Sequence, residues 1–262
     1  MKTLFNAGEL PTSQLEKLGI YHQDQLLLDP HNIRALLSGR RTELLSLRGI
    51  HWENFNIERL DAKLSLFRND LGEAEILIHP IYKEVRKHPL LSDEEMSRLA
   101  AGECDYIGKS IQKEEGRYSM LNIEYDPQTK EFITYDVSKV QSPDLVNGML
   151  LSQEEKSAFS RGEVLTLNDG TQLRHRASEP LGLLSDRKAL ILSVLVDGGI
   201  SYLLLRGISS LHQGAAQLDY ATPAFNSAYR DMEGPGTAKQ EKYLLPQNLF
   251  DAAPERAKGI SR

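Results

Sequence analysis

The chain has 262 residues, 40% of them hydrophobic, and a net charge of −6, enough for a packed core in one large domain or two ordinary ones. The acidic balance excludes a surface that is everywhere a nucleic-acid platform, because phosphate binding needs concentrated positive charge. The lone cysteine, Cys104, excludes an internal disulfide framework and a multi-cysteine zinc site, and suits a reducing cytoplasm.

Residues 1–7 lack an extended apolar run, so no signal peptide is expected. Residues 10–20 read as a short helix, with Ser13 and Glu16 as a capping box and Gly19 as a stop. A second helix is expected over 31–38, with Ile33, Leu36 and Leu37 at helical spacing and Gly39 ending it. A strand follows near 44–48. Residues 62–67 alternate and turn through Asn69-Asp70-Leu71-Gly72 into 75–78, a hairpin.

Next comes a phrase written twice. Residues 90–103, Leu-Leu-Ser-Asp-Glu-Glu-Met-Ser-Arg-Leu-Ala-Ala-Gly-Glu, return sixty residues later as 150–163, identical at eight of fourteen positions. Ser92/Glu95 and Ser152/Glu155 have capping-box spacing, and Gly102 and Gly162 supply the left-handed stop. Capping accounts for Asp93, Glu94 and Glu95 better than a metal or acid–base cluster does, since neighbours on a helix do not face one another.

Further hairpins are expected at 118–135, turning at Asp126-Pro127-Gln128-Thr129, at 164–176, turning at Asn168-Asp169-Gly170, and at 189–205, turning at Asp197-Gly198-Gly199. Residues 189–208 are greasy but broken by Asp197, Gly198, Gly199 and Arg206, so no membrane span is expected. Cys104 is expected to enter a strand as a buried structural thiol. The fold class is therefore α+β: short helices each followed by antiparallel hairpins, in two or three diverged repeats. The expected modules are 1–88, 89–148 and 149–211. Residues 212–262 read as a mostly disordered tail, rich in Ala, Gly and Pro. It has two apolar islands. The one at 224–229 is expected to pack back on the domain. The other, at 243–250, offers Tyr243, Leu244, Leu245, Leu249 and Phe250 as partner-docking anchors.

There is no Walker A loop, G-x-G-x-x-G, G-x-S-x-G or H-E-x-x-H. The seven histidines are scattered without ligand spacing, so neither metal nor cofactor is expected. Arg34, Arg40, Arg41 and Arg48, with Trp52 just beyond, form a basic and aromatic cluster that could grip a single strand, joined by Arg174 and Arg176 if the hairpins converge.

Three stretches carry a family likeness: 15–20 (Leu-Glu-Lys-Leu-Gly-Ile), 36–42 (Leu-Leu-Ser-Gly-Arg-Arg-Thr) and 63–66. They resemble an uncharacterised bacterial domain family with an L-E-K-L-G-I helix, an L-L-x-G-[KR]-x-T turn and an alternating strand. Residues 150–163, and the turn from Asp126 to Phe132, resemble a companion domain of unknown function. The likeness covers roughly residues 4–180, although Phe159 replaces the usual leucine. It implies an accessory protein of conjugative or other mobile elements, sometimes found alongside topoisomerase-like proteins, and carries over no catalytic residues.

The expectation is a cytoplasmic, non-enzymatic accessory protein that binds another macromolecule, a protein in the leading reading. A single-stranded nucleic-acid binder is the alternative. An enzyme with a dispersed site is a third, and two histidines sharing a pocket with a carboxylate would favour it.

Overall fold

A computed structural model of the chain describes residues 3–52, 55–112, 116–196, 199–211 and 216–234. After a 3-10 turn at Ala7–Glu9, α1 (Thr12–Lys17) starts at Pro11 without a side-chain cap. The helix begins one residue before Ser13, which places Ser13 inside it, so the expected Ser13/Glu16 capping box does not form. Strands β1 (Tyr21–His22) and β2 (Gln25–Leu26) make a small hairpin, its two turn residues Gln23 and Asp24 both at positive φ. Helix α2 (Pro30–Leu37) is capped by Asp29, whose carboxylate accepts the His31 and Asn32 N–H groups at 2.9 and 3.0 Å. Pro30 sits at the first position, where its missing N–H costs nothing.

Strands β3 (Leu45–Trp52), β4 (Phe55–Arg68) and β5 (Ala74–Pro80) then form an antiparallel meander. Helix α3 (Asp93–Ala100) precedes a second meander, of β6 (Ile107–Gln112), β7 (Tyr118–Asp126) and β8 (Glu131–Asp136). Strands β9 (Leu145–Val146) and β10 (Met149–Leu150), turning at Asn147 and Gly148, lead into α4 (Gln153–Ser160). A third meander follows, of β11 (Leu165–Thr166), β12 (Gln172–His175) and β13 (Leu183–Ser185). The long hairpin of β14 (Ala189–Val196) and β15 (Gly199–Arg206) joins β9 in a four-stranded sheet, and α5 (Pro223–Glu233) packs on it.

Helix, glycine, three-stranded meander thus occurs three times. Each helix ends in the same pair of bonds. Gly39, Gly102 and Gly162 donate to Leu36, Leu99 and Phe159, and the next residue donates to Ala35, Arg98 and Ala158. This is the Schellman motif, and the glycines have φ of 67°, 73° and 80°. Both serine boxes close as expected. Glu95 and Glu155 N–H reach Ser92 and Ser152 Oγ at 3.2 and 3.1 Å, and the carboxylates return to the cap N–H groups at 2.8 and 2.7 Å. Ser92→Ala and Ser152→Ala are each expected to cost about 1 kcal/mol, read as a shift in the urea unfolding midpoint.

The three units have unequal cores. The first buries Leu15, Leu18, Ile33, Leu36, Leu47 and Leu64 between its helices and sheet. Here Gly19 allows close approach, because a Cβ would lie 2.4 Å from the Arg48 carbonyl oxygen. The third centres on Phe159, Leu173, Leu183 and Leu190. Among the described residues the middle unit's apolar core is just Leu91, Leu99 and Ile123, with Met96, Cys104 and Tyr125 around them. So small a core is marginal alone, and the middle unit leans on its neighbours.

Cys104 lies in the loop between α3 and β6, half-buried against that core, and not in a strand. The loop is needed to bring the chain back from the Gly102 stop. The 224–229 island is part of α5, whose Phe225 and Ala228 pack on Ala189 and Ile191 of β14. Thr222 caps that helix, accepting from Phe225 N–H at 3.0 Å. Residues 197 and 198 of the predicted turn, and the anchors Tyr243, Leu244, Leu245, Leu249 and Phe250, lie outside the described residues.

Candidate functional site

The middle unit leans on its neighbours through one face of β7. Ile123 and Tyr125 turn towards α3, so Asn122, Glu124 and Asp126 turn the other way. All three are 1–2% exposed. Buried carboxylates need partners, and the flanking units supply them. Asp126 takes Lys63 of β4 at 2.9 Å, and that ammonium also reaches the Ser178 carbonyl at 3.1 Å. Glu124 takes Arg176 at 3.2 Å and the Ser178 N–H at 2.9 Å. Asn122 donates to the Arg161 carbonyl at the end of α4 at 2.7 Å. Burial pushes the Glu124 carboxyl up to about 7, against the pull of Arg176 and the backbone donors at Ser178 and Ala177.

Beside this seam Arg41 donates to Glu131 at 2.9 Å and lies 3.6 Å from Asp126. Glu131 also faces His79 Nδ1 at 3.4 Å, and His79 Nε2 is 2.9 Å from Ser65 Oγ. Burial lowers the His79 pKa, with Arg41 adding to that and Glu131 opposing it, so the ring is neutral at pH 7. Burial alone would raise Glu131, but the bond from His79 and the charge of Arg41 outweigh it and hold the carboxyl below its usual range.

Ser65 and His79 open onto a cleft of about 560 Å³. One wall is the outer face of the first unit's sheet together with Ser38, Arg40 and Arg41; the other is β8. Residues 132–136 line it consecutively. Side chains alternate faces along a strand, so five neighbours in a row mean that the cleft runs along the edge of β8. Among the described residues that strand pairs with β7 alone. The floor carries His175, edge-on to Tyr135 with ring centroids 4.9 Å apart. Burial, and then Arg40, drive His175 down to about 4. Ser38 Oγ is buried without a hydrogen-bond partner. A second groove of about 730 Å³ lies across the seam, between the end of α3, Arg174, Arg176 and Ser209–Leu211.

Four of the arginines expected to bind nucleic acid do converge here, but as internal partners. Arg40 donates to the Leu181 carbonyl, Arg41 pairs with Glu131, Arg174 with Asp105 and Arg176 with Glu124. Half-buried Arg34 lies beside Arg40, at the contact with Pro180 and Leu181. Arg48 is exposed on β3, in register with Arg59, away from the junction. Trp52 ends β3, and its side chain lies outside the described residues. They do not form one open basic face, because Arg41 and Arg176 face carboxylates of the covered seam and Arg174 pairs with the exposed Asp105. Sequence reasoning missed Ser65, His79, Lys63 and Glu131. The only local signal was Ser65 and His79 at like-facing positions on neighbouring strands. Among the described residues no group of three or more His, Cys, Asp or Glu is placed to hold a metal, and no helix is long and apolar enough to cross a membrane.

Residues 5–89 match the model of a family described as "Protein of unknown function (DUF4099)", a span that holds α1 to β5. No curated protein and no solved structure matches the chain.

Proposed function

We infer that the chain is a partner-binding protein that takes an extended, acidic polypeptide segment into the cleft beside β8. The observation that carries this is the run 132–136. An edge strand presents unpaired N–H and C=O groups, and here it borders a groove long enough for a partner strand. Among the described residues no backbone bond from outside β7 is seen at 132–135. The lining favours anions. Arg40 and Lys139 contribute positive charge, and among the described residues Asp136 is the one carboxylate that borders the cleft. Phe132, Ile133 and Val140 supply apolar contact for alternate side chains.

The resemblance over residues 4–180 supports a wider setting, an accessory role for a bacterial mobile element in the cytoplasm. The nucleic-acid alternative is weaker on physical grounds, since Arg41, Arg174 and Arg176 already neutralise carboxylates of the fold.

The test is fluorescence polarisation with a labelled decapeptide of alternating Val and Glu. Binding is expected to weaken as salt rises, to fall about tenfold with Lys139→Glu, and to vanish when alternate peptide nitrogens are methylated. Absence of binding at low salt, or equal binding of the methylated peptide, would overturn the reading.

A further inference from the structure

We propose that Ser65, His79 and Glu131 form a nucleophile, base and carboxylate relay, and that Ser65 accepts an acyl group from esters entering the cleft. This goes beyond the peptide-binding reading and does not depend on it.

The geometry is that of an activated serine. Ser65 Oγ lies 2.9 Å from His79 Nε2, within reach of a general base. On the far side of the ring, Nδ1 faces Glu131 Oε2 at 3.4 Å. A carboxylate there holds the proton on Nδ1, so that Nε2 keeps its lone pair for the serine. Three separate stretches assemble the array. Ser65 is on β4, His79 on β5 two residues along the same face, and Glu131 comes from the middle unit. His79 is buried and neutral, while Ser65 borders the open cleft. Both line the cleft, but Ser65 is the more exposed of the two, so substrate there meets the hydroxyl while the base stays largely covered.

The chemistry balances with water as the only co-reactant. Ser65 Oγ bonds to the acyl carbon as its proton passes to His79 Nε2. The bond from the acyl carbon to the alcohol oxygen breaks, and His79 returns the proton to that oxygen. Water then repeats the sequence on the acyl-serine, releasing the acid and restoring Ser65. The ladder occupies the serine's own strand, so the oxyanion must be met by side chains. Arg40 and Lys139 line the same cleft and set its preference for esters that carry a carboxylate or phosphate.

His79 is faced by Ser65 and Lys63 on β4, by Arg41 from the segment after α2, and by Glu131 and Asp126 of the middle unit. Arg41 shares Glu131 with it, and the base limb of any rate profile is expected below the ordinary imidazole value.

The full chain is treated with a fluorophosphonate probe, digested and mapped by mass spectrometry. Hydrolysis of 4-nitrophenyl acetate is followed in parallel across pH. The expected result is an adduct on Ser65 and turnover with its base limb below pH 6.5. Ser65→Ala should abolish both, and His79→Gln should slow labelling at least a hundredfold with the circular dichroism melt preserved. Glu131 is a positioning residue. Glu131→Gln should move the base limb to still lower pH, and Glu131→Asp should move it part of the way back. No adduct on Ser65 at saturating probe, or an adduct rate that His79→Gln leaves unchanged in a folded chain, would overturn the proposal. Neither outcome bears on the peptide titration, so the two readings can fail separately.

Discussion

Asp126→Asn is expected to destabilise the chain by about 3–5 kcal/mol at pH 7, the range for removing one member of a buried ion pair. The substitution is chosen to remove charge and little else. Asp126 Oδ1 also accepts from the Gln128 N–H at 3.0 Å, closing the turn into β8, and an amide oxygen can keep that bond. The Oδ2 position cannot be kept, since it neutralises Lys63, which is 2% exposed. Without the carboxylate the ammonium has only the Ser178 carbonyl, and Arg41 turns wholly to Glu131. An uncompensated charge is then left between the first and middle units. The double variant Lys63→Met with Asp126→Asn is expected to recover more than half of the loss, because it removes the stranded charge as well. Urea unfolding of the two single variants and the pair gives the coupling directly. A single-variant cost below about 1 kcal/mol would mean that water reaches this junction.

Stability is also expected to respond to pH through two buried groups of opposite sign. Glu124 is raised to about 7 in the fold by burial. Between its unfolded value of 4.5 and about 7, the native chain holds a proton that the unfolded chain has released. Stability therefore falls as pH rises through that window, by about 3 kcal/mol in all. His175 is lowered from 6.5 to about 4 by burial and by Arg40. In that window the unfolded chain holds the extra proton, so stability rises with pH, again by about 3 kcal/mol. The windows overlap, so in the wild type these two contributions largely cancel between pH 4.5 and 6.5, leaving the rise with pH that the lowered His79 adds. Glu124→Gln is expected to expose the histidine, giving stability that climbs from pH 4 to 6.5. A flat profile for that variant in urea titrations would count against a buried neutral His175.

Both predictions arise on a surface that the pattern of β7 does not reveal. Alternation along 118–126 marks Ile123 as facing a core, and the Asn122, Glu124, Asp126 face as polar. It does not say what covers the polar face. Solvent is the simplest cover, yet Lys63, Arg176 and the end of α4 occupy it. The arginines show the same limit. Arg41 and Arg174 look like free positive charge until their carboxylates are found 90 and 69 positions away in the chain. Asp29-Pro30, by contrast, is a local helix start, and the helix begins at Pro30, one residue before the 31–38 that apolar spacing alone predicts.

Signals confined to a few neighbouring residues were sufficient for the α+β class, the twinned serine-to-glycine helices, and the turns at 69–72, 126–129 and 168–170. Caps, left-handed glycines and turn bonds close within three to five positions, so no distant partner is needed to specify them. Packing alone supplied β6 and β13 as the third strands of the second and third meanders, the joining of β9 to β14, and the meeting of Ser65, His79 and Glu131. Those features pair groups far apart in the chain, and the choice among possible partners is made by which charges and apolar faces the folded units must cover together.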